Sequence, residues 1–159
     1  MIKVKLITLG RLKEKYLSAA CDEYKKRLSG YCNFEICEIE PERLPDKPSD
    51  SQIQKALEKE ADYIKSKIPS GSTVFAMCIE GKQFSSEKFA KKIETAKDMG
   101  QSLVFIIGSS YGLSDSVKSL ADIKFSVSEM TFPHQLFRVM LLEQIYRAFK
   151  IGEGSAYHK

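Results

Sequence analysis

The sequence predicts an α/β fold: a mostly parallel sheet with helices on both faces. Three observations predict it. Strand-like and helix-like segments alternate along all 159 residues with no linker-like stretch between them. Two of the strand-like segments, TVFAMCI (73–79) and SLVFIIG (102–108), are continuous apolar runs, as strands buried on both faces must be. The helix-like segments between them are amphipathic, with one face to bury against such a sheet. A chain of this length fits one domain, residues 1–159.

The first element is IKVKLITL (2–9), alternating and β-branched, which Gly10 breaks. Residues 12–29 then place Leu12, Tyr16, Leu17, Ala20, Tyr24 and Leu28 on one helical face, and Gly30 stops the helix. NFEICEIE (33–40) alternates again as a second strand. Pro41, Pro45 and Pro48 make the next stretch a loop. Ile53, Leu57, Ala61, Ile64 and Ile68 carry a helix over 51–68, closed by Pro69. After the strand at 73–79 comes a helix capped by Ser85 or Ser86 and stopped at Gly100. The strand at 102–108, a short helix near 114–120 and a strand at 123–128 follow. A long helix from about 134 to 150 is last.

That final helix is apolar on almost every side. Leu136, Phe137, Met140, Leu141, Ala148 and Phe149 are expected as its core stripe, while Val139, Leu142, Ile145 and Tyr146 cover much of the remainder. A helix apolar nearly all round is buried on all sides, and at the end of a small domain this predicts a homodimer. Within it Glu143 and Arg147 are an i,i+4 pair. Arg138 lies on nearly the opposite face, either as a buried ion-pair partner or as an anion ligand at an interface.

Composition narrows the function classes. The amino terminus MIKVKLITLG has lysines where a signal peptide needs an unbroken apolar run, and no stretch is long enough to span a membrane. A cytoplasmic location is expected. Cys21, Cys32, Cys37 and Cys78 have no C-x-x-C spacing, and with two histidines in the chain no zinc site and no metal cofactor are expected. A net charge of +4 leans weakly towards an anionic partner such as RNA.

Ligands of such sheets bind beyond the carboxyl ends of the strands. Three segments there stand out: CIEGKQF (78–84), IIGSSYGL (106–113) and SVSEMTFPHQ (126–135). The glycine loop matches neither nucleotide signature, and alone it reads as a tight turn. Glu80 reads as a solvated turn residue, and His134 as a capping or packing residue in the first turn of the last helix.

GLSDSV (112–117), SEMTFPHQLFRVMLLEQIYRAFKI (128–151) and the closing YHK together resemble the ribosomal RNA large subunit methyltransferase H family, a group of SPOUT methyltransferases. The likeness covers the whole chain and is densest over 126–159. It implies a trefoil knot in the carboxyl-terminal part, a homodimer, and S-adenosylmethionine held in the knot. It further implies methylation at N3 of a pseudouridine in 23S ribosomal RNA, with the assembled ribosome as substrate. Carried over residue by residue, the cofactor site comprises Ala76, Gly108, Val127, Ser128, Glu129, Met130, Thr131 and Phe132. A larger aliphatic residue is common in the family at position 76, so Ala76 is expected to act through its backbone. Ser109 stands where a second glycine is more usual.

The same likeness gives the terminal residues a task. His158 is the candidate for removing the N3 proton, because imidazole is the side chain that ordinarily titrates near neutral pH. Tyr157 would stack on or orient the base, and Arg147 and Lys159 would stabilise the imide anion or hold phosphate. The GEGS before AYHK would let the tail of one subunit reach the cofactor pocket of the other. The competing readings are a non-catalytic ribosome-associated module of the same fold and a flavodoxin-like nucleotide protein.

Overall fold

A computed structural model describes residues 1–158; Lys159 lies outside the described residues. Five strands alternate with five helices: β1 (Ile2–Leu9), α1 (Lys15–Leu28), β2 (Cys32–Ile39), α2 (Asp50–Ser66), β3 (Ser72–Gln83), α3 (Ser86–Asp98), β4 (Ser102–Ile107), α4 (Asp115–Leu120), β5 (Ile123–Ser126) and α5 (His134–Gly152). The strands form one sheet in the order β2-β1-β4-β3-β5, and every pairing is parallel.

The apolar runs are buried on both faces because successive side chains leave a strand on opposite sides. In β4, Leu103, Phe105 and Ile107 join a core with α1, α3 and α5. Val104 and Ile106 join a second core that contains Ala61 and Ile64 of α2 and Val117 of α4. Helices therefore cover both faces, as the sequence predicts. Phe75, Phe89, Phe105 and Phe125 mesh in the larger core, with ring centroids 4.7 to 6.3 Å apart.

Local chemistry fixes the helix starts. Ser49 and Gln52 form a reciprocal capping box at α2. The hydroxyls of Ser85 and Ser114 accept from the amides of Lys88 and Val117 at the starts of α3 and α4.

Two expectations need correction. The buried stripe of α5 is Arg138, Leu141, Leu142, Ile145, Ala148 and Phe149. Leu136 is exposed, and Phe137 and Met140 are half-buried. With apolar residues all round, the helix offers no sequence signal to set its rotation. Strand β3 also outruns its apolar stretch. After Met77 it bulges outward over 78–81 and returns so that Lys82 and Gln83 pair with Phe125 and Ser126. Gly81 makes the return possible, since a β-carbon there would lie 2.7 Å from the Phe125 amide nitrogen. No helix among the described residues is long and apolar enough to cross a membrane.

Candidate active site

The carboxyl ends of β3, β4 and β5 surround a cavity of about 420 Å³. Its walls are the β3 bulge (Met77–Glu80), the turn after β4 (Gly108–Leu113) and the segment after β5 (Val127–Phe132), with Phe137 and His134 of α5 at one side. The three segments singled out in the sequence thus meet at one place. Of the residues assigned to a cofactor, Gly108, Val127, Ser128, Met130, Thr131 and Phe132 line this cavity. Glu129 is exposed and off the wall. Ala76 is fully buried in the smaller core, so it could reach a ligand only through its backbone.

The turn after β4 is closed tightly. The Gly112 amide donates to the Ser109 carbonyl at 2.8 Å, and Gly112 takes φ +81°, a conformation that suits glycine. A β-carbon on Gly108 would fall inside the Gly112 backbone. Gly108→Val would therefore break the turn itself before it met any ligand. The segment after β5 is shaped by its own serines: Ser126 Oγ donates to the Ser128 carbonyl at 2.9 Å, and Ser128 Oγ accepts from the Met130 amide at 3.0 Å.

One polar pair stands at the cavity wall. Lys118 of α4 forms a salt bridge with Glu80, and this hydrogen bond is the chief reason the Glu80 carboxyl titrates below its usual range. Glu80 is thus fixed in ionised form rather than being a free turn residue. Lys118 and Phe137 were not singled out from the sequence. A lysine on a short helix and a phenylalanine expected in the core carry no signal there.

A second cavity, of about 390 Å³, opens beyond β1 and β4 on the other side of the Ser109–Tyr111 turn. Arg138 sits at its floor. Its guanidinium donates to Glu38 Oε2 at 2.9 Å, to Thr8 Oγ1 at 3.1 Å and to the Gly10 carbonyl at 3.1 Å. Of the two roles left open for Arg138, it fills that of buried ion-pair partner. Glu60 is buried beside it, accepting from the Glu42 amide at 3.0 Å. Burial raises the Glu60 pKa, although that bond and one from Ser109 oppose the rise.

The residues assigned to catalysis gather elsewhere, at the carboxyl end of α5. Arg147 donates to both Glu143 oxygens, at 2.5 and 3.4 Å. His158 Nδ1 lies 3.3 Å from Arg147 Nη1, and its Nε2 lies 2.8 Å from Glu87 Oε1. The Tyr157 ring packs against Arg147 at 5.0 Å, and its hydroxyl donates to Glu143 at 3.3 Å. Burial is the main cause of an upward shift of the Tyr157 phenol, which stays protonated at neutral pH. None of these residues touches the cofactor-type cavity of its own chain. Phe137 on that cavity's wall is ten residues from Arg147, roughly 15 Å along the helix.

Residues 2–158 match the family described as "Predicted SPOUT methyltransferase". The chain is also 51% identical over 159 residues to the ribosomal RNA large subunit methyltransferase H 1 of Clostridium perfringens (strain SM101 / Type A), covering 99% of this chain and 100% of that one. The methyltransferase H of Streptococcus pneumoniae (strain CGSP14) is 50% identical with the same coverage. The chain belongs to the SPOUT methyltransferases. Within them it is a member of the methyltransferase H family, at half identity over essentially its whole length. Solved structures agree at the level of fold. A methylase family protein of Haemophilus influenzae Rd KW20 superposes with a TM-score of 0.59 at 12% identity, covering 100% of this chain and 72% of that one. Another from Neisseria gonorrhoeae gives 0.54 at 9% identity, covering 91% and 82%. The cavity at β3, β4 and β5 has a build that fits a small organic cofactor. Its walls are mainly apolar, with backbone from three loops and a few fixed polar groups.

Proposed function

We propose that this SPOUT methyltransferase is one domain over residues 1–159 that transfers methyl from S-adenosylmethionine to N3 of a pseudouridine in 23S ribosomal RNA. It acts as a homodimer on the assembled ribosome, in the cytoplasm. The observation that carries the reading is the convergence of the 77–80, 108–113 and 127–132 segments on one cavity in a chain of this family. The two relatives above bear the name of ribosomal RNA large subunit methyltransferase H. The trefoil knot belongs to the same reading.

The cofactor, when bound, supplies an electrophilic methyl group; no metal takes part. Backbone groups of Gly108 and of 127–132 would hold it, with Met130 and Phe132 against its apolar parts. The chain's own task is then alignment and the removal of one proton. His158 is the proposed acceptor. In the docked tail its Nδ1 faces a guanidinium, which can only donate, so Nδ1 accepts and a neutral ring carries its hydrogen on Nε2 towards Glu87. That arrangement holds the tail at rest, with its basic nitrogen occupied. On leaving Arg147 the lone pair becomes free to take the N3 proton. The freed Arg147, with Lys159, would then stabilise the imide anion, and Tyr157 would orient the base.

The separation of tail and cavity along α5 favours action between subunits. Leu136, Val139, Met140 and Glu143 recur at i, i+3, i+4 and i+7 on the outer face of α5, three of them apolar. Two such faces packed antiparallel bring the end of one α5 beside the start of the other, where the partner's cavity opens. The test is transfer of labelled methyl to ribosomes that lack the modification, followed by mapping of the nucleotide. Bound cofactor with no transfer would instead favour a non-catalytic ribosome-associated module.

A further inference from the structure

Helix α3 carries a feature that neither the cofactor cavity nor the tail uses. Lys88, Lys91, Lys92, Thr95 and Met99 recur at i, i+3, i+4, i+7 and i+11, which is one helical face. With Lys82 and Phe84 from the end of β3 they line an open groove of about 670 Å³. Lys82, Lys88 and Lys91 are exposed, and none of the four lysines meets a carboxylate among the described residues. Two of them flank a half-buried ring, with Lys82 Nζ 5.7 Å and Lys92 Nζ 4.6 Å from the centre of Phe84.

Placement separates this groove from the lysines scattered over the rest of the surface. Its four lysines gather on one face of α3 and the adjoining end of β3, around the single Phe84 ring. Of the acids on α3, Glu94 and Asp98 do not line the groove, and Glu87, which lines its head, is engaged by His158. Phe84 also lines the depression between α3 and α5 that is bounded by Val127, Ser128 and Phe132, three walls of the cofactor cavity. One end of the groove, at Phe84 and Glu87, therefore adjoins the resting place of the tail and that depression, and the groove runs from there along α3 to Thr73, Met99 and Gln101.

We propose that the Lys82–Lys88–Lys91–Lys92 groove holds the phosphates of a ribosomal RNA strand flanking the target nucleotide. Lysine ammonium groups on a flexible stem suit a backbone of repeating charges and read no base, which fits a docking task rather than a selecting one. The proposal rests on the functional reading above and names the surface through which it operates.

The test is co-sedimentation of the protein with unmodified ribosomes in the presence of S-adenosylhomocysteine, so that no turnover is required. The triple variant Lys88→Gln/Lys91→Gln/Lys92→Gln is compared with wild type across a series of salt concentrations. Its affinity should fall at least about tenfold near 0.1 M salt, and the slope of log affinity against log salt should shrink by about two. Circular dichroism and cofactor affinity should be unchanged, and the matching arginine triple should restore ribosome binding. A folded glutamine variant with the affinity and salt slope of wild type would overturn the proposal. So would a variant that keeps ribosome binding but loses binding to vesicles of phosphatidylglycerol, which would assign the groove to a lipid surface. A wild-type protein that binds ribosomes through these lysines yet transfers no methyl would refute the enzymatic reading and leave the groove standing.

Discussion

Arg138 is 5% exposed and its fork reaches two strands and a loop at once. Losing it leaves Thr8 and the Gly10 carbonyl without their donor and Glu38 without its counter-charge. Arg138→Leu should cost about 2–3 kcal/mol, since Glu38 remains partly hydrated, and Arg138→Lys should recover little because an ammonium cannot span the three acceptors. The denaturation midpoint reads this directly. Glu60 supplies a pH dependence with a defined sign. Its folded pKa is raised, so the folded chain holds this proton more tightly than the unfolded chain. Stability from this site is then greatest below the ordinary glutamate range and falls as pH rises through the folded value. Glu60→Gln keeps an acceptor for the Glu42 amide and should flatten melting temperature against pH above about 4.5. A curve that still falls as in wild type would assign the effect to another group. The sequence offered burial as one of two roles for Arg138 but not its partners, which lie 100 to 130 residues away, and it held no sign of Glu60.

At the scale of elements, α5 divides between core and surface in a way that mutations separate. Leu142 is fully buried, whereas Val139 lies in the depression beside Phe132. Leu142→Glu should unfold the chain, because an unpaired carboxylate has no place in that core. Val139→Glu should leave the fold and cofactor affinity intact while shifting the sedimentation profile from dimer to monomer. A folded, dimeric Val139→Glu protein would rule out this face as the interface. The strands and helices themselves were legible wherever a period was clean, as in 51–68 or 102–108. The bulged end of β3 was not. Glu80, Gly81, Lys82 and Gln83 have no strand pattern and are drawn into the sheet only by Phe125 and Ser126, forty residues on.

At the scale of the molecule, the wall of one cavity and the terminal residues sit at opposite ends of a single helix. A mixed dimer tests whether the tail crosses between subunits. One subunit lacks residues 156–159 and the other carries a disabled cofactor cavity. If tails serve the partner, the tail of the cavity-disabled subunit reaches the intact cavity of the tail-less one, and methyl transfer should stay near half of wild type. Activity near zero would mean that each tail serves its own subunit. The elements of the cofactor cavity could be picked out as odd loops, but their joint use came from family likeness. Periodicity reports which face of an element is apolar and says nothing of which loops meet.

The sheet order has a consequence for how the protein is made. Strand β4 lies between β1 and β3, so the first and third strands never touch and are bridged only by residues 102–107. On a translating ribosome β1, α1 and β2 can close as a parallel unit early, while β3 emerges with both edges bare. It must wait for a later stretch before it has any neighbour. Nascent chains stalled with residue 101 just outside the exit tunnel should be cut readily by protease within 72–83. Chains stalled some 50 residues later, with β4, β5 and α5 free to dock, should resist. Equal resistance at both stalls would mean that β3 finds shelter before its central neighbour exists.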